Sequence, residues 1–246
     1  MIFLRSCLFN LYFYLLTAIF VIVAIIPRLL TRLLPRGWAH AYARLWARLL
    51  IHVGLRYIAG TRYEIRGAEH LPASGPALLV GNHQSAFDTF VWFLIVPRAT
   101  YVLKRELLRI PLFGGMLGAL GLIPIDRSAG AAAIRSLLKE TDRAVAEERQ
   151  IIIFPEGTRV APGVEAPLQP GYAAMAGRSK LPIIPVTTDS GLYWGRRAFR
   201  KMPGVIHIDV HSPLPATLGR GESTVQLEAL FAAARADIQR RAAVRG

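Results

Sequence analysis

His83 and Asp88 lie five residues apart in the run Asn82-His83-Gln84-Ser85-Ala86-Phe87-Asp88, directly after the apolar stretch Ala77–Val80. A histidine acting as a general base needs a partner, commonly a carboxylate, to fix its tautomer and stabilise the imidazolium. Positions five apart do not share a face of one regular helix. The two side chains therefore meet only if His83 stays in a loop and Asp88 opens the helix that follows. Ser85-x-x-Asp88 is equally a capping-box variant, in which Asp88 starts a helix and does no chemistry. Local sequence leaves both readings open.

A second group, Phe154-Pro155-Glu156-Gly157-Thr158-Arg159, also follows an apolar run. A Pro-Glu-Gly-Thr turn accounts for its composition. An arginine at a strand end is, in addition, a natural bidentate phosphate ligand, with Glu156 placed to orient it. A third group, Gly121 to Arg127, ends in the adjacent pair Asp126-Arg127 and by itself reads as a local ion pair. Leu181–Val186 reads as a buried strand with proline at its margins, hence as wall.

These groups must be positioned by a layered fold. From about residue 62 short apolar runs alternate with helical stretches, the mark of an α/β architecture. Seven candidate strands emerge: Tyr63–Arg66, Ala77–Val80, Tyr101–Leu103, Leu122–Ile125, Ile151–Phe154, Ile183–Thr187 and Val205–Val210. Helical periodicity covers Ala131–Glu148 and Val225–Ala243, and the Pro- and Gly-rich stretch Ala161–Gly171 reads as an irregular loop. The expectation is a mixed, seven-stranded sheet flanked by helices over residues 61–246, with ligands at the strand ends.

Residues 1–60 have a different character. Leu8–Ile26 is an uncharged run of 19 residues whose clearly polar members are Asn10 and Thr17, just long enough to cross a bilayer. From Trp38 to Tyr57, Tyr42, Trp46, Leu49, Leu50, Val53 and Tyr57 recur at helical spacing, opposite a stripe of Arg44, Arg48, His52 and Arg56. This is the pattern of a helix in the headgroup region, with Arg on lipid phosphate. Arg28, Arg32 and Arg36 follow the apolar run and only Arg5 precedes it, which puts the remainder on the cytoplasmic side of a cell membrane. A spanning helix and a two-helix hairpin in one leaflet give the same side.

The net charge of +14 is concentrated at the ends: +8 in residues 1–63, +1 in 64–195 and +5 in 196–246. That distribution argues against nucleic-acid binding and for an anionic membrane surface met by the ends. A hydrophobic fraction of 53% excludes disorder, and the single Cys7 excludes an internal disulfide or a thiolate metal cluster.

Taken together, the His-x-x-x-x-Asp block, Gly121–Arg127, Glu-Gly-Thr-Arg and Leu181–Val186 resemble the glycerolipid acyltransferase family, especially its bacterial 1-acyl-sn-glycerol-3-phosphate acyltransferases. The resemblance covers about residues 60–215 and extends to Lys104–Gly114 and the N-terminal two-helix pattern. It implies an α/β sandwich with its active site at the membrane surface. His83 would be the general base and Asp88 its orienting partner. Arg159 would bind phosphate in a pocket shaped by Glu156, Gly157 and Thr158, with Arg127 and Lys104 assisting. The implied reaction moves a fatty acyl group from acyl-CoA or acyl carrier protein to the sn-2 hydroxyl of 1-acyl-glycerol-3-phosphate, giving phosphatidic acid. It needs no metal, no cofactor beyond that co-substrate and no covalent acyl-enzyme. One departure is Gln169-Pro170-Gly171, where many relatives carry Lys-x-Gly. The missing cation admits a different acceptor, such as lyso-ornithine lipid. A non-catalytic protein binding anionic lipid is the reading from another class, and it leaves His83, Asp88 and Arg159 unexplained.

Overall fold

The computed structural model describes residues 1–24, 37–111, 113–215 and 218–243. Ile25, Ile26 and the arginines 28, 32 and 36, which carry the orientation argument, lie outside the described residues. Strands β1 (Thr61–Arg66), β2 (Ala77–Gly81), β3 (Ala99–Lys104), β4 (Ile123–Ile125), β5 (Gln150–Ile153), β6 (Ile183–Thr188) and β7 (Gly204–Val210) form one sheet. Its order is β1-β7-β6-β2-β5-β3-β4. The five strands from β6 to β4 run parallel, β7 is antiparallel to β6, and β1 is parallel to β7. The sheet is therefore mixed, and the carboxyl ends of its five parallel strands open on one edge.

Strands covered on both faces read as continuous apolar runs, and β2 and β5 are buried throughout. Leu79, Ile152, Ile184 and Val186 face one layer of core, whereas Leu78, Val80, Ile151 and Ile153 face the other. The first layer is closed by α1 (Ile2–Val23), α2 (Trp38–Arg48), a π-helix (Leu49–Ala59), α3 (Phe87–Phe90) and α4 (Trp92–Ile95). After α5 (Phe113–Ala119) come the helices of the second layer, α6 (Ala131–Ala146), α7 (Gly171–Ser179) and α8 (Arg220–Ala243). α7 begins where the loop 161–171 was expected to end.

The regular helix expected through Tyr57 is corrected by the structure. From Leu49 the chain is π-helical, with i→i+5 bonds and a wider turn. Steps of four then drift off one face. Val53 and Tyr57, expected on the apolar side, are exposed beside Arg48 and Arg56. The π-helix is seated on α1 by the Tyr12 hydroxyl, which donates to Leu49 O at 3.1 Å. Gly54 permits that approach, because a Cβ there would sit 2.7 Å from the Tyr12 ring. Arg44, assigned to the lipid-facing stripe, instead donates to Phe93 O (3.1 Å) and Pro97 O (2.8 Å) at the end of α4. Pro185 lies inside β6 and not at a margin. Its carbonyl accepts from His211, beyond the end of β7, so its missing N–H faces a side where the ladder has stopped.

α1 lies along the domain for its whole length. Ser6 Oγ accepts from Lys201 N at 2.9 Å, Phe9 and Phe13 meet Trp194 edge-on, and Phe20 O accepts from Tyr42 at 2.8 Å. On the opposite face Leu4, Leu8, Leu11, Leu15, Ile19 and Ile22 form an exposed stripe at helical spacing. An apolar stripe of that length marks an interaction surface of the kind a membrane contact requires.

Candidate active site

The site is built where β2 ends. Asn82 joins the exits of β2 and β6: its Nδ2 donates to Thr188 O at 3.0 Å and its Oδ1 accepts from Thr188 N at 2.8 Å. The backbone of His83 is fixed on both sides. Its N–H donates to Glu156 Oε2 (2.7 Å) and its carbonyl accepts from Val160 N (2.7 Å). Gln84 Oε1 accepts from Gly191 N at 3.1 Å. The loop carrying the histidine is thereby tied to the segments that follow β5 and β6.

Asp88 sits in the first turn of α3 and is 3% exposed. Its Oδ2 accepts from the N–H groups of Gln84 and Ser85, both at 2.8 Å, and lies 3.1 Å from His83 Nδ1. Ser85 Oγ in turn accepts from Phe87 N at 3.1 Å. Asp88 taking the Ser85 N–H is one half of a capping box, while Ser85 Oγ takes the N–H of Phe87 and not that of Asp88, so the carboxylate at the helix start serves both readings of this motif. The carboxylate that starts the helix also holds the imidazole. Because a carboxylate only accepts, the proton between them belongs to Nδ1, and Nε2 is left as the basic nitrogen. The ring stacks on Phe154 with centroids 4.2 Å apart and planes 16° from parallel.

After β5 the chain turns at once. Gly157 N donates to Phe154 O at 3.0 Å across Pro155 and Glu156, and Gly157 takes φ 69°, a conformation that favours glycine. Burial pushes the Glu156 carboxyl up to about 7, against the pull of the His83 N–H it accepts, and the charge of Asp88 adds to the rise. Glu156, Gly157 and Thr158 line a groove of about 420 Å³. Gln169, Pro170 and Gly171 line the same groove, so the departure from Lys-x-Gly falls within its wall. Arg159 follows, partly buried, its carbonyl accepting from Arg196 Nη1 at 3.0 Å.

Lys104 ends β3, exposed, on the edge of the sheet that carries His83. Arg127 opens a 3-10 turn directly after β4 on that same edge, and its side chain lies outside the described part of the molecule. Asp126 accepts from Ser128 N at 3.1 Å and stands 4.0 Å from Arg105. A second cavity, of about 260 Å³, is almost wholly apolar. Thr89 and Phe90, next to Asp88, line it together with Phe20 of α1, Trp46 of α2, and Met116 and Leu117 of α5.

Three contributions escape the sequence. Asn82 and Gln84 hold the histidine loop through residues more than a hundred positions away, and the only signal was an Asn at a strand exit. The apolar cavity is drawn from seven separate elements, so no single stretch such as Phe113–Leu120 announces more than one of its walls.

A three-layer α/β sandwich with a His–Asp pair at the carboxyl edge of its parallel strands defines the class. The acyltransferase family model matches residues 62–189, more than half of the chain, and the chain belongs to that family. It is 37% identical over 167 residues to the 1-acyl-sn-glycerol-3-phosphate acyltransferase of Pseudomonas aeruginosa, covering 68% of this chain and 63% of that one. To the enzyme of the same name from Cocos nucifera it is 36% identical over 163 residues, covering 65% and 52%. The chain thus spans 52 to 63% of the length of these curated relatives. The solved structure of the 1-acyl-sn-glycerophosphate (LPA) acyltransferase from Thermotoga maritima superposes with a TM-score of 0.77 at 20% identity, over 97% of this chain and 98% of that one. That likeness establishes the fold.

Proposed function

We propose that the protein acylates the sn-2 hydroxyl of 1-acyl-glycerol-3-phosphate with a fatty acyl thioester, giving phosphatidic acid. The observation that carries this reading is the His83 Nδ1–Asp88 pair at 3.1 Å, which leaves Nε2 as the basic nitrogen. The names of the relatives supply the acceptor. Nε2 takes the hydroxyl proton as the oxygen attacks the thioester carbonyl, and Asp88 stabilises the imidazolium. As the C–S bond breaks, the proton passes to the departing thiolate of coenzyme A or acyl carrier protein. Positioned base catalysis of this kind contributes about 10²–10⁴ in rate. Arg159, with Lys104 and Arg127 on the same edge, holds the acceptor phosphate near the groove of Glu156, Gly157 and Thr158. The apolar cavity receives the acyl chain of the donor.

α1 lies in one leaflet in this reading, because the domain occupies one of its faces from Ser6 to Phe20 and lipid cannot surround it. The order of charges around the apolar run supports a site on the cytoplasmic side. Gln169 in the groove wall favours a second reading, in which the acceptor is a lysolipid with a headgroup other than a phosphomonoester. The decisive assay follows thioester consumption by the full chain with a panel of lysolipid acceptors and either donor. The first reading expects 1-acyl-glycerol-3-phosphate to be used fastest, and faster use of lyso-ornithine lipid favours the second. No consumption with any acceptor removes both and leaves a lipid-binding protein.

A further inference from the structure

We propose that the segment Gly195–Pro203 of the catalytic domain is a second membrane-docking element, seated on an anionic leaflet beside α1. The proposal rests on the one-leaflet reading of α1 and extends it to a part of the chain that the N-terminal helices do not contain. The segment reads Gly-Arg-Arg-Ala-Phe-Arg-Lys-Met-Pro, and between Asp189 and Asp209 there is no acidic residue. Arg196, Arg197 and Arg200 are exposed, and among the described residues no carboxylate lies within 4.0 Å of any of them. Phe199 and Met202 are exposed too, at 50% and 38%. Large apolar and basic side chains interspersed on one exposed segment suit a headgroup boundary, where the first enter the acyl layer and the second stay on phosphate.

The attachment to α1 is what identifies the partner as a bilayer. The Phe199 ring lies 5.6 Å from that of Phe3, itself on the exposed side of α1. Asn10 Nδ2 donates to Phe199 O at 3.0 Å, and Lys201 N donates to Ser6 Oγ at 2.9 Å. Lys201 is the pin. It is 2% exposed, and its Nζ donates to Asn10 Oδ1 (2.9 Å), Ala198 O (2.9 Å) and Phe199 O (3.0 Å). The same ammonium lies over the rings of Trp194 (5.4 Å) and Phe9 (5.6 Å). One cation is thus spent inside the fold so that its neighbours are presented outward, continuous with the apolar stripe of α1. Arg196 adds a link to the chemistry, since it donates to the carbonyl of Arg159 at 3.0 Å. A leaflet bound at this segment lies one hydrogen bond from the proposed phosphate ligand.

The test uses the full chain with Cys7→Ser and Phe199→Cys, the new thiol carrying an environment-sensitive fluorophore, and vesicles of phosphatidylcholine with or without 30 mol% phosphatidylglycerol, a fraction of roughly physiological order. The fluorophore is expected to shift to the blue on the anionic vesicles and to be quenched by nitroxide lipids. Arg197→Gln with Arg200→Gln, both exposed and outside the site, is expected to weaken partition into anionic vesicles about 30-fold and to leave neutral vesicles unaffected. A water-like fluorophore on a protein that still floats with vesicles overturns the docking segment and leaves the α1 reading standing. Failure to float with either vesicle removes both. Partition unchanged by the arginine pair overturns the assignment of those charges to lipid.

Discussion

In the loop after β2, Asp88 gathers two backbone N–H groups and an imidazole from residues three to five positions back. α1 is held instead by polar partners on other elements, at Tyr42, Leu49 and Ile58 and, 189 to 195 residues away, at Phe199 and Lys201. The first region is a local device: a short stretch of chain builds its own helix cap and aims its own histidine. The second is an apolar rod with no internal instruction about where to lie, fixed by groups on other elements, some of them at the far end of the sequence. Chemistry is therefore set by local geometry, and access to lipid by long-range packing. The two should fail independently.

The largest separation is expected from His83→Ala. Acyl transfer should fall about 10²–10⁴-fold, while thermal unfolding and vesicle flotation stay near wild type. Asp88→Asn comes next, because the carboxylate serves both cap and base. Turnover should fall about 10²-fold or more, with a loss of stability of only about 1 kcal/mol. A turnover close to wild type with the same loss of stability would reduce Asp88 to a helix cap.

Filling the apolar cavity should alter selection without touching the dyad. Met116→Trp is expected to shift the preferred donor to shorter chains by about 10–200-fold, near the range that one or a few methylenes confer, and competition between acyl thioesters reads it. On the α1 side, Lys201→Met keeps the volume and deletes three donated bonds. It should lower unfolding stability by about 1–3 kcal/mol and expose α1 to protease, while the rate on a water-soluble short-chain acceptor changes little.

The smallest effect concerns Glu156, whose pKa rises from 4.5 to about 7 on folding. Folding favours the protonated carboxyl, so its contribution is complete below pH 4.5 and is lost as pH climbs to about 7. Glu156→Gln keeps an acceptor for His83 N–H and does not titrate. Unfolding scans should show the variant gaining on wild type between those pH values and holding a constant lead above them. A lead that does not vary with pH would mean that the carboxyl is ionised throughout.

The same division explains what was readable. All seven strands could be placed to within a few residues, because buried parallel strands need unbroken apolar runs and the outer strands β1 and β7 alternate more with less buried residues. The His–Asp pair was readable as two alternatives that turn out to coexist. In the N-terminal run Asn10 and Thr17 looked like blemishes, although Asn10 is a bond to Lys201. The π-helix was hidden because its residues also satisfy α-helical spacing. It is packed against the Tyr12 ring at Gly54, a contact between segments more than forty residues apart. Gln84 is another such case, holding Gly191 far along the chain.

The most direct test of the central claim is a double-mutant cycle on His83 and Asp88, read as the rate of acyl transfer to 1-acyl-glycerol-3-phosphate in vesicles. Groups that act as one unit are strongly non-additive. The His83→Ala/Asp88→Asn protein is therefore expected to lose no more activity than His83→Ala alone. Losses that multiply, or a His83→Ala protein that retains near-normal transfer, would contradict a catalytic pair at this site.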